Sequence, residues 1–157
     1  MNPGAIATVI PWLANGALAQ DASVKEFRPG ANGLKRQGDH VIASNSSRGT
    51  LAAIAVDSSG APNGPLIELA KVDPIDDFVV GPTGEIIFAT HGATVRRRAV
   101  DGTITTVLPS GGDGCPAVAL VKRSDGADAL LVLTTGGFSE GRREPARLLR
   151  INYSTSK

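Results

Sequence analysis

Two residues with hard oxygen donors, Asn32 and Asp76, stand at related positions in the chain and could together hold a divalent cation. Asn32 opens an Asn-Gly-Leu triplet, and Asp76 lies 44 residues further on, next to Asp77. Carboxamide and carboxylate oxygens are ligands that Ca²⁺, Mg²⁺ and Mn²⁺ prefer in proteins. Such a cation polarises an ester carbonyl and acidifies a bound water, and a nearby carboxylate can accept the proton. The residue types would therefore suit a metal site if Asn32 and Asp76 converge in the fold, with Asp76 and Asp77 as candidate catalytic carboxylates.

Each part of this candidate site also has a structural interpretation. The pair Asn32-Gly33 is typical of a tight turn, because asparagine tolerates a positive φ. Asp76 and Asp77 are equally compatible with the solvated start of a strand, and adjacent carboxylates repel, so one of them should face water or a cation. Calcium takes roughly six to eight oxygen ligands. Two protein ligands with one negative charge would hold it weakly or not at all.

Two other reactive side chains are weaker candidates. His91 follows a predicted strand and could reach the mouth of a central channel, although a lone histidine at a turn is more often structural. Cys115 is the single cysteine of the chain, which excludes an internal disulfide framework and leaves no cluster of thiols for zinc. It has no base close by in the sequence, so we expect a buried, inert thiol.

The candidate ligands open successive copies of a repeat. Copies begin at residues 32, 76 and 116, with offsets of 44 and then 40 residues. Each contains short apolar runs bounded by Gly, Pro and Asp, which indicates buried strands, and helical periodicity is absent. A period near 40 residues is typical of four-stranded propeller blades. We assign blades to residues 29–73, 74–112 and 113–157 of one domain, with the end of a truncated blade and a loop at 1–28.

This repeat predicts an all-β fold, a partial β-propeller of about three four-stranded blades, or half of a six-bladed ring. The alternative is a β-sandwich, which also has short strands and frequent turns but does not need a repeat. In a propeller, residues at equivalent points of the innermost strands point into one channel. Asn32 and Asp76 would therefore converge despite their separation in sequence.

The amino-acid composition agrees with an all-β fold and argues against two classes of partner, nucleic acids and membranes. Of 157 residues 41% are hydrophobic but only 4% aromatic, with 19 Gly and 10 Pro, which favours short strands and turns. The 16 Lys and Arg balance 15 Asp and Glu for a net charge of +1. Because the chain lacks a strong field of one sign, no nucleic-acid partner is expected. No apolar stretch approaches the roughly 20 residues of a spanning helix, so no membrane partner is expected.

The N-terminal segment does not by itself decide between a cytoplasmic and a secreted location. Residues Ala5–Ala19 are fairly apolar and end in Ala-Leu-Ala, which is similar to a signal-peptide cleavage site. No Lys or Arg precedes them, Pro11 interrupts them, and Asn15-Gly16 is a turn dipeptide. We favour a cytoplasmic location over secretion, and we expect Ala5–Leu13 to form the outer strand of a preceding blade.

Three segments in order carry a family resemblance. Residues 29–34 (Pro-Gly-Ala-Asn-Gly-Leu) with the strand at 40–45 resemble one blade opening, and residues 74–78 (Pro-Ile-Asp-Asp-Phe) with 81–89 resemble the next. Residues 115–135 are similar to a closing blade. The chain thereby resembles, over nearly its whole length, the C-terminal half of the gluconolactonase, senescence marker protein and luciferin-regenerating enzyme family.

The resemblance implies a six-bladed propeller with a divalent cation, usually calcium, at the top of its channel, and metal-dependent opening of a sugar-type lactone. Asn32 matches the family's asparagine ligand and Asp76 its aspartate ligand, while Asp77 could act as the base or support the ligand. The first-blade carboxylate and a further substrate-binding asparagine have no counterpart in this chain.

Two alternatives to an active lactonase remain. The chain could be a non-catalytic propeller fragment that serves as a binding or assembly module, or a truncated gene product without activity. An open run of three blades exposes two blade faces, so we also expect a second copy or a separate chain to complete the ring.

Overall fold

The computed structural model describes residues 9–26, 28–111, 114–138 and 141–153 of the chain. Within these ranges eleven β-strands form three antiparallel sheets, and one turn of 3-10 helix spans Gly16–Leu18. No helix in the described ranges has the length and apolar character needed to cross a membrane. The prediction of an all-β fold is confirmed.

The first sheet, blade 1, is a meander whose strands pair in chain order. Its strands are β1 (Ala31–Gln37), β2 (His40–Asn45), β3 (Thr50–Ala55) and β4 (Ile67–Lys71). The turn from β2 to β3 ends at Gly49, which has a φ of 64°. A Cβ at Gly49 would lie 2.1 Å from the carbonyl oxygen of Val72. Only glycine therefore lets this turn approach the connection that leads to the next sheet.

The next two sheets repeat this arrangement. Blade 2 consists of β5 (Ile75–Val80), β6 (Ile86–Thr90), β7 (Val95–Arg98) and β8 (Ile104–Leu108), paired in that order. Blade 3 consists of β9 (Ala117–Lys122), β10 (Asp128–Leu133) and β11 (Leu148–Tyr153). The predicted partial propeller is confirmed, although blade 3 shows three strands rather than four among the described residues.

The blades pack face to face through two apolar cores, and β6 contributes to both. Ile86 and Phe88 lie in the core between blades 1 and 2, with Phe78 and Leu51. Ile87 lies in the core between blades 2 and 3. Because alternate side chains of a strand point to opposite faces, a strand covered on both faces must be apolar throughout. This explains why β6 reads as an unbroken apolar run.

The outer faces of blade 1 and blade 3 differ in how far other parts of the chain cover them. The outer side of blade 1 faces the N-terminal segment, and Ile54 there is only 3% exposed. On the outer side of blade 3, Leu133 is 42% and Leu148 is 66% exposed. Of the predicted strand Ala5–Leu13, residues 5–8 lie outside the described residues and 9–13 are not in a strand.

Candidate functional site

Asn32 and Asp76 meet at the junction of blades 1 and 2. The Asn32 Nδ2 atom donates a hydrogen bond of 2.7 Å to Asp76 Oδ1. Both residues lie in β-bulges, because the pairing register shifts between Ala31 and Leu34 in β1 and between Ile75 and Phe78 in β5. A bulge inserts an extra residue and redirects side chains, and bulges are common beside functional sites. The structure thus brings the two predicted ligand positions together.

The interpretation of Asn32-Gly33 as a turn is wrong, because both residues lie inside β1. Gly33 is required for a different reason. Its backbone N–H donates to Ser44 Oγ at 2.8 Å, and a Cβ there would lie 2.9 Å from that oxygen and 3.2 Å from the Phe78 ring. The small residue lets the inner strands of two blades lie close enough for the Asn32–Asp76 contact.

The buried Ser46 stabilises the contact between Asn32 and Asp76 by hydrogen bonds. Ser46 Oγ accepts a second hydrogen bond from Asn32 Nδ2 at 3.0 Å and donates to the backbone oxygen of Ile75. Both protons of the Asn32 amide are therefore engaged, and its Oδ1 is left as the acceptor that could meet a ligand. The sequence analysis did not identify Ser46, since a serine in a Ser-Ser turn carries no distinctive signal.

The Asp77 carboxylate contacts different partners from the carboxylate of Asp76. Its Oδ1 lies 3.1 Å from Lys35 Nζ, and its Oδ2 accepts from the backbone N–H of Val118 at 3.3 Å. Lys35 Nζ also lies 5.6 Å from the centre of the Phe78 ring. Asp77 consequently joins β1, β5 and β9, one strand from each blade, and its negative charge is balanced by Lys35.

His91 lies at the same end of blade 2 as Asp76, after the end of β6. Its backbone N–H donates to the carbonyl oxygen of Pro74 at 2.9 Å. The ring atom Nε2 is buried and has no hydrogen-bond partner among the described residues. It therefore makes no bond through this atom to Asn32, Asp76 or Asp77.

The innermost strand of blade 3, β9, carries no polar side chain at a position equivalent to Asn32 or Asp76. The pairing of β9 with β10 is regular from Ala117 to Lys122, without a bulge. The preceding Cys115 is buried, as the sequence predicts. A Gly-x-Ser-x-Gly pattern at residues 137–141 falls between β10 and β11, and its Ser139 lies outside the described residues. A serine-hydrolase elbow joins a strand to a helix, and no helix follows in the described ranges.

These residues do not by themselves complete a calcium site. Asn32 and Asp76 would supply two of roughly six to eight oxygen ligands. In the described part of the chain no group of three or more His, Cys, Asp and Glu side chains could hold a metal ion. Asn32 also directs Nδ2, a donor, toward the carboxylate, so a shared cation would require the amide to be reversed.

A second polar cluster links blades 2 and 3 at the opposite end of the strands. The buried Glu85 carboxylate accepts from Thr83 N–H at 3.0 Å, from Thr83 Oγ1, and from the Tyr153 hydroxyl at 3.2 Å. Burial would raise the pKa of Glu85, but these hydrogen bonds outweigh it and hold the pKa below its ordinary value. Burial and the charge of Glu85 raise the pKa of Tyr153 to about 12. This cluster fastens the end of β11 to blade 2.

The chain is similar to several solved structures, and three of them are the following. A catalytically inactive virginiamycin B lyase from Staphylococcus aureus, solved with quinupristin, has 12% identity and a TM-score of 0.45, over 79% of this chain and 42% of its own. A candidate 6-phosphogluconolactonase from Bacteroides uniformis has 11% identity and a TM-score of 0.49, over 87% of this chain and 44% of its own. A Lactobacillus plantarum protein has 15% identity and a TM-score of 0.42, over 86% and 45%.

The chain thus spans less than half the length of each of these proteins. No protein-family model and no curated protein matches the sequence. The assignment to the propeller fold rests on the order and pairing of the strands in this chain.

Proposed function

We propose that the chain carries part of the active centre of a gluconolactonase-like hydrolase, which opens a sugar-type lactone to a hydroxy acid. The observation that supports this proposal is the 2.7 Å contact between Asn32 and Asp76, formed by two equivalent bulges on inner strands. The Asp76 side chain is partly exposed. A lactone and a water molecule can therefore approach the carboxylate.

In this proposal Asp76 is the general base. Its carboxylate takes a proton from water, and the water oxygen attacks the carbonyl carbon of the lactone. The ring C–O bond then breaks, and the proton passes from Asp76 to the departing ring oxygen, which yields an alcohol and a carboxylic acid. Asn32 holds the Asp76 carboxylate in place through Nδ2, and its Oδ1 accepts a hydrogen bond from a substrate hydroxyl.

The test is a lactone-opening assay that follows acid release with a pH indicator, using D-glucono-1,5-lactone. Asp76→Asn should lower kcat/KM about 100-fold or more, as expected for the loss of a general base. Asp125→Asn is the matched control, because it removes the same charge at the exposed turn between β9 and β10, and it should leave the rate unchanged. A wild-type rate no higher than spontaneous opening, or equal rates for both variants, would contradict the proposal.

A second candidate is a non-catalytic binding module. The contact of Asp77 with Lys35 and the Val118 N–H supports it, because the second candidate base is used to join three blades. Under this alternative the wild-type chain binds a lactone or sugar acid without converting it. Calorimetry with the lactone, combined with the assay above, separates the two candidates.

A further inference from the structure

A cavity of about 360 Å³ lies between blades 1 and 2, at the end of β1 opposite to Asn32. Its volume falls within the range of small-ligand pockets, which is roughly 300–1,000 Å³. Neither Asn32 nor Asp76 lines it, so the cavity is separate from the site proposed for lactone opening. Its apolar wall consists of core side chains of both blades, namely Ile42, Ala53, Leu69 and Ile86.

Arg98 brings a positive charge to this cavity at a fixed position. It extends from β7 of blade 2, and its Nε–H donates to the carbonyl oxygen of Leu69 in β4 of blade 1 at 2.9 Å. Its Nη1 donates to the backbone oxygen of Ala99 at 3.3 Å. Because both Arg98 and Leu69 line the cavity, the bond between them holds the guanidinium at the cavity wall.

The charge of Arg98 is not neutralised within the described part of the chain, where no carboxylate forms an ion pair with it. Asp101, in the turn after β7, is held by Thr103 instead. Its Oδ1 accepts from the Thr103 backbone N–H at 2.8 Å, and this bond lowers the pKa of Asp101 more than the charge of Arg98 does. A guanidinium matches the planar geometry of a carboxylate. Arg98 is therefore available to an anion from outside the protein.

The other polar side chains that line the cavity already have partners in the protein. Gln37 Nε2 donates to the carbonyl oxygen of Gly84 at 3.3 Å. His40 Nδ1 lies 2.7 Å from Asp39 Oδ1. Thr83 Oγ1 donates to the carboxylate of Glu85. Arg98 is thus the group that would recognise a charged ligand in this cavity.

We infer that this cavity binds a small monocarboxylate with an apolar body. The carboxylate meets Arg98, and the hydrocarbon part covers the wall formed by Ile42, Ala53 and Ile86. A polyhydroxylated ligand is a poorer fit, because hydroxyl groups against this wall would lose water without gaining hydrogen bonds. A cationic ligand would be repelled by Arg98. The inference goes beyond the proposed lactone opening and does not depend on it.

An NMR titration with hexanoate tests this inference without any turnover. The methyl signals of Ile42 and Ile86 should shift and reach saturation, because both side chains line the cavity. Butyrate, which is two methylenes shorter, should bind about tenfold more weakly, since burial of one methylene corresponds to about fourfold in affinity. Hexan-1-ol has a similar apolar body without the charge, and it should also bind about tenfold more weakly than hexanoate.

Two variants test the role of the charge. Arg98→Gln should weaken hexanoate binding about tenfold or more and leave hexan-1-ol binding unchanged. Arg150→Gln is the matched control, because it removes the same charge at an exposed position of blade 3, and it should change neither affinity. Should Arg98→Gln fail to fold, Val100→Glu decides, because Val100 lines the cavity and is 66% exposed. A carboxylate there should repel hexanoate and leave hexan-1-ol binding unchanged.

Three results would overturn the inference. They are the absence of a saturable shift at Ile42 and Ile86, equal affinities of the wild type for hexanoate and hexan-1-ol, and an unchanged hexanoate affinity in the folded Arg98 or Val100 variant. None of them bears on the proposed lactone opening. A chain that binds hexanoate in this cavity but does not open lactones would reject the proposed function and leave this inference standing.

Discussion

Asn32 Nδ2 lies 2.7 Å from Asp76 Oδ1, although the two residues are 44 positions apart in the sequence. Each occupies the bulge of the innermost strand of its blade, so the contact crosses from blade 1 to blade 2. The hydrogen bond that would orient the Asp76 carboxylate in the proposed reaction therefore also joins two repeats. We expect stability and the proposed activity to be coupled at this position.

This coupling can be measured with a double-mutant cycle. Asn32→Ala and Asp76→Ala should each destabilise the fold, and the double variant should lose about 1 kcal/mol less than the sum, which is the usual net contribution of one hydrogen bond. Urea unfolding followed by circular dichroism provides the free energies. Strictly additive losses would mean that the contact contributes nothing in solution.

Two glycines with positive φ should respond differently to alanine. Gly38 has a φ of 57° and open space where a Cβ would lie, so Gly38→Ala should cost about 1–2 kcal/mol. Gly49→Ala adds a collision with the Val72 carbonyl oxygen to a similar backbone strain, and should cost about 2 kcal/mol more. Thermal unfolding of both variants checks this order. Equal losses would show that the turn shifts away from Val72 at little cost.

The Glu85–Tyr153 cluster predicts a stability that depends on pH at both ends of the scale. The pKa of Glu85 is lowered from 4.5, so its contribution is present above that value and is lost as the pH falls through the lowered pKa. The pKa of Tyr153 is raised from 10.0 to about 12, so its contribution is complete below pH 10.0 and disappears as the pH rises toward 12.

Tyr153→Phe isolates one part of this dependence. It should cost about 1–2 kcal/mol at neutral pH, because a buried carboxylate loses a donor, and it should remove the Tyr153 part of the alkaline decline. Denaturant titrations at a series of pH values compare it with wild type. If the variant lost stability between pH 10 and pH 12 as steeply as the wild type does, the proposed role of the Tyr153 hydroxyl would be contradicted.

Calcium binding should be weak. Asn32 and Asp76 supply one formal negative charge, and the described residues contain no group of three acidic, histidine or cysteine side chains to complete a site. Calorimetry should show calcium binding with a dissociation constant of about 1 mM or higher, in the range of the weakest protein sites. Asp76→Ala should abolish this binding. Micromolar affinity, or affinity unaffected by Asp76→Ala, would refute this account.

The outer face of blade 3 should favour association, because Leu133 and Leu148 are cross-strand partners that are both exposed. We propose that a second copy of the chain, or a separate chain, covers them. Light scattering should show self-association of the wild type at micromolar concentration, and Leu133→Glu with Leu148→Glu should reduce it. A well-folded wild-type monomer would argue against pairing of copies.

The sequence by itself determined the fold class and the repeat. Short apolar runs at a period near 40 residues leave few architectures other than propeller blades, and the unbroken apolar run of β6 follows from burial on two faces. The spacing also predicted that Asn32 and Asp76 would converge, because equivalent points of inner strands share one axis.

Only the tertiary structure decided how each polar group is used. A bulge depends on the register between two strands, so nothing local in the sequence marks Asn32 or Asp76 as bulged. The partners of Asp77, namely Lys35 and Val118, come from other blades, as does the Tyr153 hydroxyl that meets Glu85. Side-chain partners distant in sequence are selected by the packing of blades, which is a property of the folded chain and not of any one segment.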